Sequence, residues 1–204
     1  MRFSSAAKNL MLDALDESIA TGAKFGSLHT AYSSTGTNEV TGGSPAYARK
    51  GMTWSAASSG SKATSASAVF DVPAATTVRW VGLWDTVTGG VFLGMGPNGG
   101  GVPQAFVSPD IANDILECVA HGFSNGDTVV VWAVPGDPVP TGLAEGTVYF
   151  VTNATTDDLT LSATSGGATI NITAIGAGLL QKIVPETFGA QGTHTVSAAS
   201  MSLD

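Results

Sequence analysis

The sequence contains a single cysteine, Cys118, and this scarcity excludes two kinds of stabilising site. A lone cysteine cannot form an intrachain disulfide, and it cannot supply the several thiolates of a Cys-rich zinc site. Cys118 lies in the apolar stretch ILECVA, where a thiol more often fills a core than acts as a nucleophile. We therefore expect a buried structural thiol.

Charged residues are also scarce, at 12% of 204 residues, and 16 acidic residues face only 8 basic ones. The resulting net charge of −8 repels a nucleic-acid backbone, so a nucleic-acid partner is disfavoured. No apolar run approaches the roughly 20 residues of a membrane-spanning helix, and we expect no membrane insertion. The hydrophobic share of 43% is instead typical of a folded protein.

Basic residues are missing altogether between Asp110 and Gln181, although this stretch holds eight acidic residues. Such a sharp break in composition suggests a separate module. The closing segment HTVSAASMSL resumes the strand pattern of the first half. We therefore predict a β-sandwich domain formed by residues 1–103 plus 185–204, into which residues 104–184 are inserted as an acidic β module.

The first twenty residues have the pattern of an amphipathic helix rather than of a secretory signal. Ser4 or Ser5 can cap its start, and Gly22 lies where a helix end favours a left-handed residue. The apolar face should pack on the chain's own sheet or on a neighbouring subunit, with Leu10, Met11 and Leu15 as candidate assembly contacts. The apolar residues that follow the helical period are Ala7, Leu10, Met11, Ala14, Leu15 and Ile19.

After Gly22 the sequence alternates short β-prone runs with turns rich in Gly, Pro, Ser, Thr and Asn. This pattern predicts a mainly β fold: a β-sandwich of Ig-like or jelly-roll-like type with an N-terminal α-helix, and an inserted small β-barrel-like module. The predicted strands lie near residues 24–30, 46–54, 65–72, 78–85 and 91–95, then near 115–120, 128–134, 147–152, 159–163 and 169–173.

The stretch VAHGFSNGDTVVV brings His121, Ser124 and Asp127 within seven positions, which raises the question of a Ser-His-Asp catalytic set. Asn125-Gly126 between two β-prone runs is the strongest short signal for a tight hairpin turn. A triad also needs an oxyanion hole, and the sequence lacks a Gly-x-Ser-x-Gly elbow. We therefore predict a hairpin with Phe123 in its small core, no catalytic residue, and no enzyme.

Motifs for metals and cofactors are weak. The three histidines, at 29, 121 and 194, are isolated in the sequence. The oxygen-rich stretch NATTDD, residues 153–158, lacks the length and terminal Glu of an EF-hand loop, so a plain β-turn is favoured. GMGPNGGG lacks the Gly-Lys-Ser/Thr of a phosphate loop. The sequence predicts neither a metal nor a cofactor.

Exposed aromatic side chains can bind sugars, but all four tryptophans fall in predicted strands, where core packing is favoured. Gly82, between Trp80 and Trp84, would leave room for a partner ring or a ligand. The residues with the best claim to a surface or ligand contact are Trp132, Asn153, Asp157 and Asp158.

Several motifs occur together and in order along the chain: AYSSTGTNEVTGGSPAYARKGMTW, VGLWD, GGVFLGMGP and IVPETFGAQGTHTVSAASMSL. In these stretches, which cover Tyr32 to Pro97 and Ile183 to Leu203, the chain resembles tail-fibre or minor tail proteins of tailed bacteriophages. The resemblance implies a structural virion protein, in the tail rather than the capsid, whose sandwich domain docks into the particle. It also implies a homo-oligomer, with a trimer favoured, that assembles with other phage tail or capsid proteins.

The middle of the chain, AHGFSNGDTVVV followed by LAEGTVYFVTNATTDDLTLSATSGGATINI, is similar to a small β module that recurs in phage tail and fibre proteins. Leu159 departs from that pattern, where Phe is more common. The resemblance implies a structural or adhesive role rather than catalysis. Two alternatives therefore stand beside the tail fibre: a capsid or tail-tube decoration protein, and a module that binds host cell-surface polysaccharide.

Overall fold

The computed structural model describes residues 3–17 and 22–203, so the predicted helix residue Ile19 lies outside the described residues. The protein is mainly β, with 42% strand and 6% helix, which confirms the predicted sandwich-like fold with an N-terminal helix. No helix in the described part of the chain has the length and apolar character that crossing a membrane requires.

The single helix of the described residues, α1, spans Ser5–Glu17. The strands are β1 Phe25–His29, β2 Lys50–Gly51, β3 Ser61–Ala63, β4 Ala68–Val72, β5 Thr76–Val78, β6 Trp80–Trp84, β7 Phe92–Pro97, β8 Gln104–Asp110, β9 Ile115–Glu117, β10 Thr128–Trp132, β11 Val148–Thr152, β12 Asp158–Ser162, β13 Ala177–Ile183, β14 Glu186–Phe188, β15 Gly192–Val196 and β16 Ser200–Ser202.

The chain forms two compact units. Unit 1 comprises Met1–Gly96 and Glu186–Asp204, and unit 2 comprises Pro97–Pro185. These borders lie at 96/97 and 185/186, whereas the composition break placed them at 103/104 and 184/185.

Unit 1 contains a four-stranded antiparallel sheet in the order β2-β1-β6-β7 and three strand pairs. The C-terminal segment runs back antiparallel along residues 61–78, since β14 pairs with β5, β15 with β4 and β16 with β3. Burial alternates along β4 and β6, because successive side chains of a strand point to opposite faces. One face of each strand therefore points into the core. The core of unit 1 is formed by Leu28, Val40, Met52, Ala68, Phe70, Val72, Val78, Phe188 and Val196.

Unit 2 is a closed barrel in the order β10-β11-β12-β9-β8-β13. Closure leaves no strand edge unpaired, so the small unit needs no covering layer. Its interior is apolar and includes Cys118, at 1% exposure, and Phe123, at 9%, as the sequence predicts. Burial raises the pKa of the Cys118 thiol to about 11, which keeps the thiol protonated. Cys118 is therefore a structural core residue.

Several predicted strands differ from the structure. Only Lys50–Gly51 of the predicted strand 46–54 forms a strand, and residues 169–173, all of them described, form one isolated bridge at Thr169. The sequence reasoning missed β8 and β13, which contain Pro109 and Gly178, residues that weaken local strand propensity. A Cβ at Gly178 would lie 2.8 Å from both the Phe106 ring and the Trp132 carbonyl, so barrel packing requires the glycine.

Candidate functional site

The structure places His121, Ser124 and Asp127 in a tight turn. Nδ1 of His121 accepts the backbone N–H of Phe123 at 2.8 Å, and the His121 ring is 6% exposed. The Asp127 carboxylate accepts the backbone N–H of Ser124 at 2.9 Å and binds Lys182 Nζ at 2.7 Å. The side chains of His121 and Asp127 therefore bind backbone N–H groups and the Lys182 ammonium group, and neither side chain hydrogen-bonds to the Ser124 hydroxyl in this structure.

The predicted turn at Asn125-Gly126 is present, but the predicted hairpin is wrong. Asp127 N–H donates to the Ser124 carbonyl at 3.0 Å, and Gly126 has a φ of +88°. However, β10 pairs with β11 and β13, whereas β9 pairs with β12 and β8. The turn therefore joins two strands that are not neighbours in the barrel, because barrel closure, and not the local turn signal, sets strand order.

A cluster of polar side chains in unit 1 surrounds the Glu39 carboxylate. Arg49 Nη2 lies 2.8 Å and Arg49 Nε 2.9 Å from its two oxygens, so the guanidinium binds the carboxylate through two nitrogens. The Tyr47 hydroxyl donates to Glu39 at 3.2 Å and accepts the backbone N–H of Leu28 at 2.8 Å. Burial raises the pKa of Tyr47 well above its ordinary value, so this hydroxyl stays protonated.

The same arginine fixes the connection between β6 and β7. Its guanidinium carbon lies 3.5 Å from the centre of the Trp84 ring. Arg49 Nη1 donates to the carbonyls of Thr86, at 3.1 Å, and Gly89, at 2.7 Å. The Arg49 side chain is only 9% exposed and that of Glu39 18%. The largely buried Arg49–Glu39 ion pair thus fixes the loop between β6 and β7 through the two carbonyls that Arg49 binds.

A second polar network lies beneath Trp84. His29 Nδ1 lies 2.9 Å from the Thr37 carbonyl and carries the proton, so His29 Nε2 accepts the Ser27 hydroxyl at 2.7 Å. The Ser27 oxygen in turn accepts Trp84 Nε1–H at 3.0 Å. Burial lowers the pKa of His29 and favours this neutral form. Ser27 and His29 are both 0% exposed, so this Ser–His pair cannot reach a substrate.

Gly82 has a different role from the one that the sequence suggests. A Cβ at Gly82 would lie 2.5 Å from Ser27 Oγ and 2.6 Å from His29 Nε2. The space beside Gly82 is therefore filled by that hydrogen bond, and the predicted room for a ring or a ligand is absent there. The period-2 spacing of Ser27 and His29 on one face of β1 is the signal that sequence reasoning left unused.

Helix α1 packs on the rest of unit 1 through the side that carries Asn9, Leu12 and Asp13. The Asp13 carboxylate binds Lys62 Nζ at 2.7 Å and accepts the backbone N–H of Ala57 at 2.8 Å. Asn9 Oδ1 accepts the backbone N–H of Gly60 at 2.8 Å, and Leu12 is 1% exposed. Ser4 Oγ accepts the Ala7 N–H at 3.3 Å, so Ser4 is the capping residue.

The apolar stripe that the helical period predicted faces away from this contact. The exposed fractions are 73% for Leu10, 38% for Met11 and 39% for Leu15. Of the two predicted partners of this stripe, the chain's own sheet is therefore wrong, and the neighbouring subunit stays a prediction. Asp13 and Asn9 hold the other side of the helix to the rest of unit 1, which leaves the apolar stripe exposed.

The four candidate contact residues of unit 2 do not form one site. Asn153, Asp157 and Asp158 share the turn after β11, where Asn153 Nδ2 donates to Thr160 Oγ1 at 3.0 Å and Asp157 accepts the Ala120 N–H at 2.9 Å. Trp132 ends β10 at the opposite end of the barrel, because Thr128 pairs with Phe150 and the chain directions are antiparallel. Its indole N–H donates to Gln181 at 2.9 Å.

Metal-binding groups are dispersed. Within residues 3–17 and 22–203, no three His, Cys, Asp or Glu side chains lie close enough together to hold a metal ion. His194 is bound through Nδ1 to Glu186 at 2.5 Å. His29 and His121 hold the backbone contacts given above.

Comparison with known proteins finds one similarity, and it lies in the N-terminal part of the chain. Residues 2–99 match the model of a family described as podophage GP4 fiber I protein gp80. Searches of curated proteins and of solved structures found no match. The matched segment contains α1, the Ser27–His29 network and the whole cluster of Glu39, Tyr47, Arg49 and Trp84. Over residues 2–99, the chain is therefore similar to a phage fibre protein family.

Proposed function

We propose that this protein is a non-enzymatic structural component of a phage tail fibre, which docks into the virion through unit 1 and associates with copies of itself. The family match of residues 2–99 carries the proposal. The chemistry of the polar networks agrees with it, since Ser27 and His29 are inaccessible and the side chains of His121 and Asp127 serve a turn.

The exposed stripe of α1, defined as Leu10, Met11 and Leu15, supports self-association. Full burial of a wholly exposed side chain of this kind contributes about 1.5–3 kcal/mol. Leu10 is mostly exposed and Met11 and Leu15 are partly exposed, so each copy contributes a part of that energy at three positions. Polar contacts already anchor the opposite side of the helix, so the stripe is presented rigidly. Stripes from several copies can pack together around one axis, and we favour a trimer.

Localisation in the particle tests the proposed position. We expect mass spectrometry to find the protein in purified virions, and electron microscopy with an antibody against the chain to label the tail fibres. Label on the capsid or along the tail tube would favour a decoration protein. Absence from purified particles would reject a virion role altogether.

A charge placed on the stripe tests self-association independently of location. Leu10→Glu should shift the protein from oligomer to monomer in sedimentation velocity at micromolar concentration, because a carboxylate cannot be buried in an apolar interface. Val69→Glu is the matched control, since Val69 is 49% exposed on β4. A wild-type chain that sediments as a monomer, or equal effects of both variants, would contradict the helix interface.

The second candidate function is adhesion to host polysaccharide by unit 2. The observation that favours it is the exposed acidic turn at residues 153–158, which carries hydroxyl and carboxylate groups of the kind that bind sugars. The full-length protein should then bind host cell-wall polysaccharide and compete with phage adsorption. Comparison of Asp157→Ala with Trp132→Ala would identify which barrel end is used, by which variant loses binding. Absence of any binding on a glycan array would contradict adhesion.

A further inference from the structure

Unit 2 contains a groove at the end of the barrel where β8 ends and β13 begins. Its volume is about 460 Å³, which lies in the range of roughly 300–1,000 Å³ typical of ligand pockets. The groove is therefore large enough for more than one side chain of a partner. Its lining consists of Val107, Ser108, Pro109, Asp137, Pro138, Ile175, Gly176 and Ala177.

Hydrogen bonds hold the walls of this groove in place. Gly176 N–H donates to Ser108 Oγ at 2.9 Å, and Ala177 N–H donates to the Pro138 carbonyl at 3.0 Å. Ser108 is 2% exposed, so its hydroxyl is used within the wall and does not face a ligand. The groove is thus formed before any partner arrives.

The surface that the groove presents is apolar. Ile175 is 68% exposed and Val107 47%, and the exposed prolines 109 and 138 complete the walls. Exposed apolar side chains grouped around a cavity are typical of a binding surface. The exposed Asp137 supplies the one ionisable side chain among the lining residues.

The charge of unit 2 determines which partner this carboxylate attracts. Residues 97–185, all of which the structure describes, contain eight carboxylates and one ammonium group, that of Lys182. Lys182 pairs with Val129 in the barrel register and binds Asp127 at 2.7 Å, toward the opposite end of the barrel. The electrostatic potential around Asp137 is therefore negative, so this surface attracts cations and repels anions.

We propose that the groove binds an arginine or lysine side chain that lies within an apolar segment of a partner protein. The aliphatic stem of such a side chain packs along Val107, Pro138 and Ile175, and its charged head reaches the Asp137 carboxylate. Apolar neighbours in the partner fill the rest of the volume. A sugar fits the groove less well, because it needs several hydrogen-bonding groups and the lining offers one carboxylate.

A titration of the full-length protein with three peptides tests this assignment. The probes are acetyl-Leu-Arg-Leu-amide, the same peptide with neutral citrulline in place of arginine, and the same peptide with glutamate. In NMR spectra, the arginine peptide should shift the signals of Val107, Ile175 and Gly176. The citrulline peptide should bind about fivefold more weakly, since an exposed ion pair contributes up to about 1 kcal/mol. The glutamate peptide should bind most weakly.

Two variants with the same change of charge locate the contact. Asp137→Asn should bring the affinity for the arginine peptide down to that for the citrulline peptide. Asp158→Asn removes a charge that is not part of the groove lining and should leave both affinities unchanged. Ile175→Ser should weaken the arginine and citrulline peptides by the same factor, because it removes apolar wall and no charge. If a variant fails to fold, the three-peptide comparison on the wild-type chain still decides.

Four results would overturn the proposal. They are no shift with the arginine peptide, equal affinity for arginine and citrulline, equal effects of Asp137→Asn and Asp158→Asn, and shifts spread over the whole acidic surface. Shifts of the groove signals with N,N′-diacetylchitobiose and not with the arginine peptide would assign the groove to a saccharide instead.

Discussion

Unit 1 and unit 2 are both β structures, but they are stabilised by different interactions. Unit 1 combines its apolar core with buried or half-buried ion pairs, of which Arg49–Glu39 and Lys62–Asp13 are the least exposed. Unit 2 closes a barrel around an apolar core, and its one cation, Lys182, is 41% exposed. Specific polar contacts define the structure of unit 1, whereas packing and barrel closure define that of unit 2.

This difference follows from strand arrangement. The sheet of unit 1 is open and its strands are short, so long loops such as residues 30–49 must be ordered by side chains. In unit 2 every strand has two neighbours, so the backbone itself satisfies most hydrogen bonds. We expect unit 1 to be sensitive to single polar substitutions and to pH, and unit 2 to be sensitive to loss of apolar volume.

The largest effect is expected from Arg49→Ala. This change leaves the Glu39 carboxylate without its guanidinium and frees the carbonyls of Thr86 and Gly89. Loss of one partner of a buried ion pair costs about 3–5 kcal/mol. Hydrogen exchange followed by mass spectrometry should show reduced protection in residues 25–96 and unchanged protection in unit 2.

Lys182→Ala is the matched control for the arginine, since it removes a cation from a more exposed pair in unit 2. Its cost should stay below about 1 kcal/mol. Arg49→Lys should recover only part of the loss, because an ammonium group lacks the planar fork that binds Glu39 and both carbonyls. Equal losses for Arg49→Ala and Lys182→Ala would remove the proposed contrast between the units.

Leu161→Ala tests the apolar core of unit 2. Leu161 is 2% exposed inside the barrel, and truncation of a buried leucine costs about 2–5 kcal/mol through lost burial and a cavity. We expect the free energy of unfolding to fall by about 3 kcal/mol, as measured from the shift of the urea unfolding midpoint. Protection in unit 1 should not change, and a matching loss there would show that the two units unfold as one.

Gly82→Ala tests the packing of the Ser27–His29 hydrogen bond. The added methyl group would lie 2.5 Å from Ser27 Oγ and 2.6 Å from His29 Nε2, much closer than van der Waals contact allows. The hydrogen bond must therefore break or β6 must shift, at a cost of about 1–3 kcal/mol. Gly126→Ala provides a contrast, because a Cβ there meets open space and costs only backbone strain at a φ of +88°. The effect on hydrogen exchange should appear in β1 and β6.

The smallest effect concerns the docking of α1 at low pH. The hydrogen bond from Lys62, followed by the one from the backbone of Ala57, holds the pKa of Asp13 below its ordinary value of 3.8. A depressed pKa means that this carboxylate stabilises the docked helix above pH 3.8. The stabilisation disappears as the pH falls through the lower, folded-state value.

Helix amides should therefore exchange faster as the pH falls below about 3.8, after correction for intrinsic rates. Asp13→Asn should remove this pH dependence and leave the exchange of β10 and β13 unchanged. An identical acid response in the variant would assign the effect to other carboxylates.

Local sequence patterns predicted the elements whose cause is local. The Asn125-Gly126 turn, the helix start at Ser4, the burial of Cys118 and Phe123, and most strands follow from residue type and period. The same reasoning missed β8 and β13, since Pro109 and Gly178 lower strand propensity and only barrel closure compensates. It also left open what covers the apolar stripe of α1, because hydrophobic period identifies a stripe and not its partner.

The sequence by itself determined that this protein is mainly β, with one amphipathic helix and an acidic segment set into it, because periodicity and charge are properties of neighbouring residues. Only the tertiary structure brought Glu39, Arg49 and Trp84 into one cluster, joined Ser27 to His29 beside Gly82, and put Trp132 and Asn153 at opposite ends of a barrel. Such contacts depend on strand order and closure. These are decided by the balance of packing and hydrogen bonding over the whole chain.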